Sequence, residues 1–520
     1  MAMNKAPRPV RSPPGPAMRS ALALALGMAW LPAAMAAEWR VTPTLEVRET
    51  WTDNVRLAPR ADKESDFVTE LSPGINIQAD GPRLKLQANY RLGYNLYANG
   101  NDSNRIHHYL TALAKAELVE DKIFLDATGN IGRYRYSGFG PQGQRDIFLD
   151  GNSTRVSSYR ISPYMINRFG QTAVSELRYA LEGVNSGAIG LNNTTTNRLS
   201  LSVVNGEAFK TLGWSLRHTQ DYTDYSDLDS LRTRSTSANL RYRLSSDFSL
   251  TAGGGYESYG YQSVAEDPSG AFWSGGLVWT PSERTMFDVS VGHRFYGTSY
   301  NLSATHRSRR TVWNLQYGED ITTTQSQFLM PGTIDTAGFL DQLWATSVPD
   351  PVQRQQIIDA FIRNSGLPNQ LDASVNMLTN RIFLQKRWLG SMAFNTGRTA
   401  VVLSVFDTRR ELQSGAAADQ ELLAASSFAL DGSTRQRGVN VLWNWRLAAR
   451  TSLNVNASRT NIRSLISTRE DDNTTFSIGV SRELQPNLRG LVEYRHLRNS
   501  SNVVPDTREN SLSAAVQMRF

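Results

Sequence analysis

The 520-residue sequence contains no cysteine. Disulfides therefore contribute nothing to its stability, and no thiolate metal cluster can form. Long apolar runs are also missing. After an N-terminal stretch, nothing approaches the ~20 apolar residues that a membrane-spanning helix needs, and the mean hydropathy is −0.40. A soluble domain of this length would bury a large core and show longer apolar runs. No P-loop, HExxH or GxSxG occurs, so enzymatic chemistry has no anchor in sequence and no cofactor is expected. No basic run carries interleaved aromatics, which argues against a nucleic-acid partner.

What the chain does have is alternation. In NSLSAAVQMRF (510–520), Leu512, Ala514, Val516, Met518 and Phe520 share one face of a strand. Ser513, Gln517 and Arg519 share the other, with small Ala515. The same pattern recurs in Trp39–Trp51 and Phe67–Ile77. It appears again with Leu84, Leu86, Ala88, Tyr90, Leu92, Tyr94 and Leu96, and over Ala112–Leu118, Ala238–Leu244 and Phe287–Phe295. Strands that are apolar on one side and polar on the other suit a barrel with lipid outside and a polar lumen. Dilution of apolar residues by lumen-facing ones explains the negative hydropathy, and the tyrosines, tryptophans and phenylalanines suit interface girdles.

The connections separate a barrel from a soluble sheet. Tight turns such as ADGP (79–82), VEDK (119–122), NRFG (167–170), NTGRT (395–399) and ELQPN (483–487) alternate with longer polar segments, including 53–65, 137–153, 222–232 and 411–433. Short periplasmic turns and long outer loops have this rhythm. A short outer connection at 297–299 is the exception. The expected fold is all-β: a transmembrane antiparallel up-and-down barrel of about 22 strands, with 18 to 24 accepted. A soluble propeller or sandwich would not impose the long–short rhythm.

The N-terminus carries Lys5, Arg8, Arg11 and Arg19, an apolar stretch from Ala21 to Leu31, and the small-x-small site Ala34-Met35-Ala36. Residues 1–36 thus read as a secretory signal peptide and 37–520 as the barrel; the alternative is an inner-membrane anchor. Loss of those four charges lowers the formal net charge from +7 to about +3, so the basic pI says little about a polyanion partner. One outer connection, 324–377, stands apart by length. Asp350-Pro351 opens a helix over 350–364 with an apolar stripe of Val352, Ile358, Phe361 and Ile362, suited to covering the lumen or docking a partner.

Candidate functional residues follow from strand phase. With Phe520 toward lipid, Arg83, Lys85, Arg91, Arg241, Arg243, Arg294 and Arg519 point into the lumen, and rings of basic side chains favour anions. The competing reading is ion pairing with Asp126, Asp288 and Glu493. Phe520 itself is the expected outer-membrane assembly signal. The pairs His107-His108 near Asp102 and His218 near Asp221 offer a rim hydrolase as an alternative. The runs Asp221–Asp229 and Glu470-Asp471-Asp472 offer oxygen ligands for Ca²⁺ or bridges to lipopolysaccharide.

Several strings carry a family resemblance: ETWTDNVRLAP (49–59), SDFVTELSPGI (65–75), AELVEDKIFLDA (116–127), PSERT (281–285), GHRFYGTSYNLS (292–303), HRSRRTVWNLQYGEDITTT (306–324) and RIFLQKR (381–387). They resemble the outer-membrane β-barrel family associated with PEP-CTERM/exosortase systems, porin-like proteins found with exopolysaccharide gene clusters. The resemblance spans Trp39 to Phe520 and supplies no catalytic or binding residues. It implies an outer-membrane barrel of a Gram-negative bacterium in a setting of surface polysaccharide and exported-protein sorting, and the function expected of the chain is a non-enzymatic channel or conduit linked to exopolysaccharide export. The alternative is a structural or anchoring protein. Expected partners are outer-membrane lipid and lipopolysaccharide, the barrel-assembly machinery, and polysaccharide or polysaccharide-export proteins.

Overall fold

The computed structural model describes residues 37–100, 104–135, 137–143, 145–149, 151–187, 191–261, 268–329, 334–335, 370–371, 380–414 and 433–520. The expected signal peptide (1–36), the expected helix over 350–364 and most of 411–433 lie outside the described residues.

Twenty-two strands form one antiparallel sheet that closes on itself. In chain order the first eight are β1 (Glu38–Thr52), β2 (Asp66–Asp80), β3 (Leu84–Tyr97), β4 (Arg105–Val119), β5 (Ile123–Arg135), β6 (Ser153–Phe169), β7 (Ala173–Ser186) and β8 (Thr194–Asn205). Next come β9 (Leu212–Tyr225), β10 (Leu231–Arg243), β11 (Phe248–Tyr259), β12 (Ser269–Ser282), β13 (Thr285–Arg294), β14 (Gly297–Arg307) and β15 (Thr311–Thr322). A six-residue helix α1 (Thr324–Leu329) follows, then a two-residue ladder of β16 (Ile334–Asp335) with β17 (Gln370–Leu371) that stands outside the barrel sheet. The barrel resumes with β18 (Phe383–Asn395), β19 (Thr399–Leu412), β20 (Thr434–Ala448), β21 (Thr451–Ser464), β22 (Glu470–Gln485), β23 (Leu488–Ser501) and β24 (Thr507–Arg519).

Each strand pairs with its sequence neighbour, and β24 returns to β1 from Thr44↔Arg519 to Thr52↔Ser511. Closure leaves no edge, so the backbone hydrogen bonds are satisfied between strands, as a lipid surroundings requires. Phe520 extends this seam: its N–H donates to the Pro43 carbonyl at 3.0 Å.

Alternation sorts the side chains. Val41, Val47, Leu71, Leu240, Val291, Val405, Leu512 and Val516 are exposed on the outer face. Their strand neighbours Thr50, Ser72, Ser404, Ser511 and Ser513 are buried on the inner one. Aromatics mark both interfaces. Trp39, Phe169, Trp279, Trp313, Trp445 and Phe520 sit at the short-turn end; Trp51, Phe67, Tyr256, Trp273 and Tyr300 sit toward the loop end, all exposed. Register shifts at Glu117/Val119, Trp279/Ser282, Arg446/Ala448 and Glu483/Gln485 fall beside short turns, where a bulge twists the ribbon into its reversal. Asp121 and Gly170 take the left-handed conformation in two of these turns, at φ 56° and 57°. The short outer connection lies two residues earlier than sequence placed it. Arg294 pairs with Gly297, which makes Phe295-Tyr296 a two-residue hairpin turn with Gly297 at φ 110°.

Candidate functional site

The 137–149 connection is not an outward loop. It folds into the barrel and lies on the inner wall of β1–β5 and β22–β24. Phe139, Ile147 and Phe148 are all buried. Ile147, Phe148 and Leu149 join Val55 and Leu57 of the β1–β2 loop, and the inward Val68, Tyr97 and Leu497, in one apolar cluster. The Leu149 N–H donates to the Val55 carbonyl at 3.0 Å, which ties the two loops together.

Polar contacts then carry the segment down the wall. Tyr97 Oη donates to the Ile147 carbonyl at 2.8 Å and Asn95 Nδ2 to the Asp146 carbonyl at 3.0 Å. The Asp146 carboxylate accepts from Tyr109 Oη and lies 3.6 Å from Arg133. The Gly140 N–H donates to Asp471 at 2.7 Å. Arg145 reaches furthest: its guanidinium meets Glu493 at 2.7 Å, near the middle of β23. Burial, with Arg48 close by, pulls the Arg145 guanidinium down to about 10, against the pull of Glu493, so it remains a cation at neutral pH. A loop fastened by both an apolar cluster and charge-assisted bonds is a fixed constriction rather than a loose cover.

The 137–153 connection lies at the loop end as sequence placed it, but it turns inward, for a legible reason. Ile147-Phe148-Leu149 is an apolar triplet inside a polar connection, and a solvated loop has no use for one. Arg145 and Asp146, just before it, are the functional residues that sequence reasoning missed.

A second element enters from the opposite wall. Helix α1 follows β15, yet its Phe328 packs with Val156, Val184 and Leu191 of the β6–β8 region, and on Tyr134 edge-to-face at 4.7 Å. These positions face inward, so the described start of the 324–377 insertion crosses the loop end of the lumen. Thr323 caps the start of α1, its Oγ1 accepting from the Ser326 N–H at 3.2 Å, and Ser326 Oγ accepts in return from the Thr323 N–H at 2.9 Å.

Beneath both elements the inner wall is unevenly charged. On the β1–β8 and β22–β24 side, many of the cations are paired. Glu46 holds Arg48 at 2.7 Å, Glu70 holds Arg91 at 2.8 Å, and Asp126 and Glu176 hold Arg178 at 2.9 and 2.8 Å. Buried Glu182 lies between Arg160 at 3.2 Å and Arg198 at 3.4 Å, and Asp221 grips Arg198 at 2.9 Å. Fully buried Glu509 accepts from Thr52 Oγ1 at 2.9 Å and faces Arg495 at 3.6 Å. Removing Arg495 alone should be costly because it strands a buried carboxylate. R495M is expected to lose about 3–5 kcal/mol of barrel stability, and R495M/E509Q to regain most of it. Urea midpoints of folded-band migration in gels check this; equal midpoints for the two variants would remove the pair from the stability account.

On the β9–β13 side the wall changes. Ser235, Ser237, Thr251, Ser274 and Ser290 face inward with Gly253, Gly255, Gly276 and Gly292. A Cβ on Gly276 would stand 2.4 Å from the Val289 carbonyl oxygen, so this close approach needs glycine. Arg241 and Arg243 face the lumen here, opposite in phase to Leu240 and Tyr242, and are exposed. Neither has an ion-pair partner among the described residues.

The other sequence candidates fall into three situations. Lys85 is inward, in register with Asp80 and Lys115. Arg519 is inward beside the β1 seam. Arg83 precedes β3 and pairs with Glu120 at 2.7 Å at the turn rim, with both side chains largely exposed. Arg91 and Arg294 are inward but neutralised, Arg294 by two contacts to buried Glu257. The partners proposed from sequence differ from those found: Asp126 takes Arg178, and Glu493 takes Arg145.

The histidine and carboxylate groupings come apart by alternation. His107 is buried inside against Arg133, whereas His108 faces out and bonds Tyr90 Oη at 2.8 Å. His218 faces out to Thr236 at 2.8 Å, while Asp221 faces in to Arg198. Asp471 is buried inside and Asp472 pairs with Arg459 outside at 2.8 Å. Among the described residues, no group of three such side chains converges as a metal site.

No family model matches the chain, and a comparison with curated proteins finds no match. Solved structures align over most of it at low identity. The siderophore receptor PirA from Acinetobacter baumannii aligns with TM-score 0.48 and 8% identity, over 92% of this chain and 80% of that one. The FrpB iron transporter from Neisseria meningitidis (F3-3 variant) gives 0.47 and 9%, over 94% and 83%. PirA from Pseudomonas aeruginosa gives 0.44 and 11%, over 92% and 80%. The chain is an outer-membrane-type β-barrel on its own ladders: 22 strands, closed, apolar outside and polar within.

Proposed function

We propose that this protein is an anion-selective channel in the outer membrane of a Gram-negative bacterium, serving export of surface polysaccharide. The observation that carries the reading is the exposed basic pair Arg241 and Arg243 on the lumen wall at the short-turn end. Lys85, Lys115, Arg446 and Arg519 share that end and face, so an anion entering from the periplasm meets positive potential first. The hydroxyl-lined β9–β13 wall supports a sugar cargo, since small polar side chains leave a smooth path. The resemblance to barrels found with exopolysaccharide clusters points the same way. The outward aromatic girdles and terminal Phe520 support the outer membrane as the location.

Planar-bilayer recording tests this. In a salt gradient the wild type should prefer anions, and R241E/R243E should move the reversal potential toward cations by on the order of 10 mV. An acidic polysaccharide added at the short-turn side should block current, whereas neutral dextran of equal size should not. An unshifted potential in a folded double mutant would remove these arginines from the conduction path. Equal block by both polymers would remove the polysaccharide assignment.

A further inference from the structure

The barrel wall is split in one place. Strand β14 pairs with β13 along its length, and β15 pairs with β18 along its length. Between β14 and β15, however, the ladder runs only from Arg307↔Val312 to Leu302↔Tyr317. Residues 297–301 and 318–322 continue toward the loop end without pairing to each other. Side chains span the gap: Tyr296 Oη donates to the Glu319 carbonyl at 3.4 Å, and Arg294 lies 3.7 Å from Asp320. The split opens into a cavity of about 710 Å³ whose lining comes from both faces of the wall. Ser290, Asn301, Gln316, Gln385 and Leu389 reach it from the lumen side, and Tyr300, Leu302 and Tyr317 from the outer side. The wall is also lowest here, because β13 and β14 have 10 and 11 residues and join through a two-residue turn.

We infer that the β14–β15 split is a lateral portal between the lumen and the outer leaflet, and that it takes a sugar-headed amphiphile. Hydroxyl and amide groups on the inner side hydrogen-bond a polyhydroxyl head. Arg294 lies 3.7 Å from Asp320 and is also held by Glu257, and Arg387 and Glu319 line the cavity too, so no excess cation there demands an anionic ligand. The aromatic and leucine side chains outside accept an alkyl tail. Helix α1 and the 137–149 loop narrow the lumen at its loop end, which favours a second route through the wall. This portal rests on the channel reading, so its test uses chemical labelling and not current.

Purified protein in phosphatidylcholine vesicles is exposed to octyl glucoside carrying a diazirine at the end of its alkyl chain, then irradiated and digested. Labelling is expected to concentrate on peptides holding Tyr300, Leu302 and Tyr317, about tenfold above those holding Val47 and Leu71 on the far wall. G318W fills the cavity from the lumen side and should abolish the excess. G275W, at an outward glycine with open space around it, should keep it. Even labelling around the barrel, or an excess untouched by G318W, would overturn the portal. If G318W does not fold, amide exchange in the wild type decides. Fast exchange at the alternate amides of 298–301 and 318–321 that do not bond β13 or β18, relative to the corresponding amides of 303–306 and 313–316, supports the split; equal protection overturns it. An inactive channel with concentrated, G318W-sensitive labelling would sink the conduction reading and leave the portal standing.

Discussion

Replacing residues 138–149 with a short Gly-Ser link is expected to raise single-channel conductance about two- to threefold while the barrel stays closed. The segment contributes nothing to the 22-strand ladder, so closure survives its loss. What disappears is the burial of Phe139, Ile147 and Phe148, each worth roughly 1.5–3 kcal/mol, together with the bonds of Arg145 and Asp146. The variant should therefore unfold at lower urea and yet show folded-band migration before it does. Removing Glu493 alone, as E493Q, should give a smaller conductance rise with more frequent open-state noise, because one end of the loop is released. An unchanged conductance in the folded deletion would mean that the loop lies beside the path, not across it.

Deleting Phe520, or changing it to Asp, is expected to lower outer-membrane abundance about tenfold, far more than its lipid contact explains. Phe520 is 67% exposed on the outer face, at the short-turn interface. A carboxylate at such an interface costs roughly 0–1 kcal/mol, too little to unfold a closed barrel. A large loss would thus report recognition during assembly. F520W, which keeps the aromatic, should restore abundance. Normal levels of F520D in outer-membrane fractions, with ordinary heat-modifiable migration, would contradict the assembly role.

Strand number and facing were legible because both depend on a local rule. Period-two alternation over Leu84–Leu96 or Leu512–Phe520 fixes which side meets lipid, and the long–short rhythm of connections fixes the count. Alternation also assigned Arg91 and Arg294 inward, but phase alone cannot tell a paired cation from an exposed one. Glu70 and Glu257 come from other strands, and their reach depends on register. The same limit dissolved His107-His108 and Asp471-Asp472, since adjacent strand residues face opposite sides. The inward course of 137–149 was half-legible in Ile147-Phe148-Leu149, though its target cluster draws on Val55 and Leu497 from opposite ends of the chain. The β14–β15 split left no trace in pattern: Tyr300 and Leu302 alternate as regularly there as elsewhere.

Because the chain has no native cysteine, one double variant tests the inward loop directly. R145C/E493C in intact cells is treated with a short bis-maleimide and, separately, with a bulky impermeant maleimide. If the loop occupies the lumen at the middle of β23, the short reagent joins the two thiols within one chain, and the bulky one labels neither. Rapid bulky labelling at position 145, with no intramolecular link to position 493, would place the loop outside and contradict the constriction.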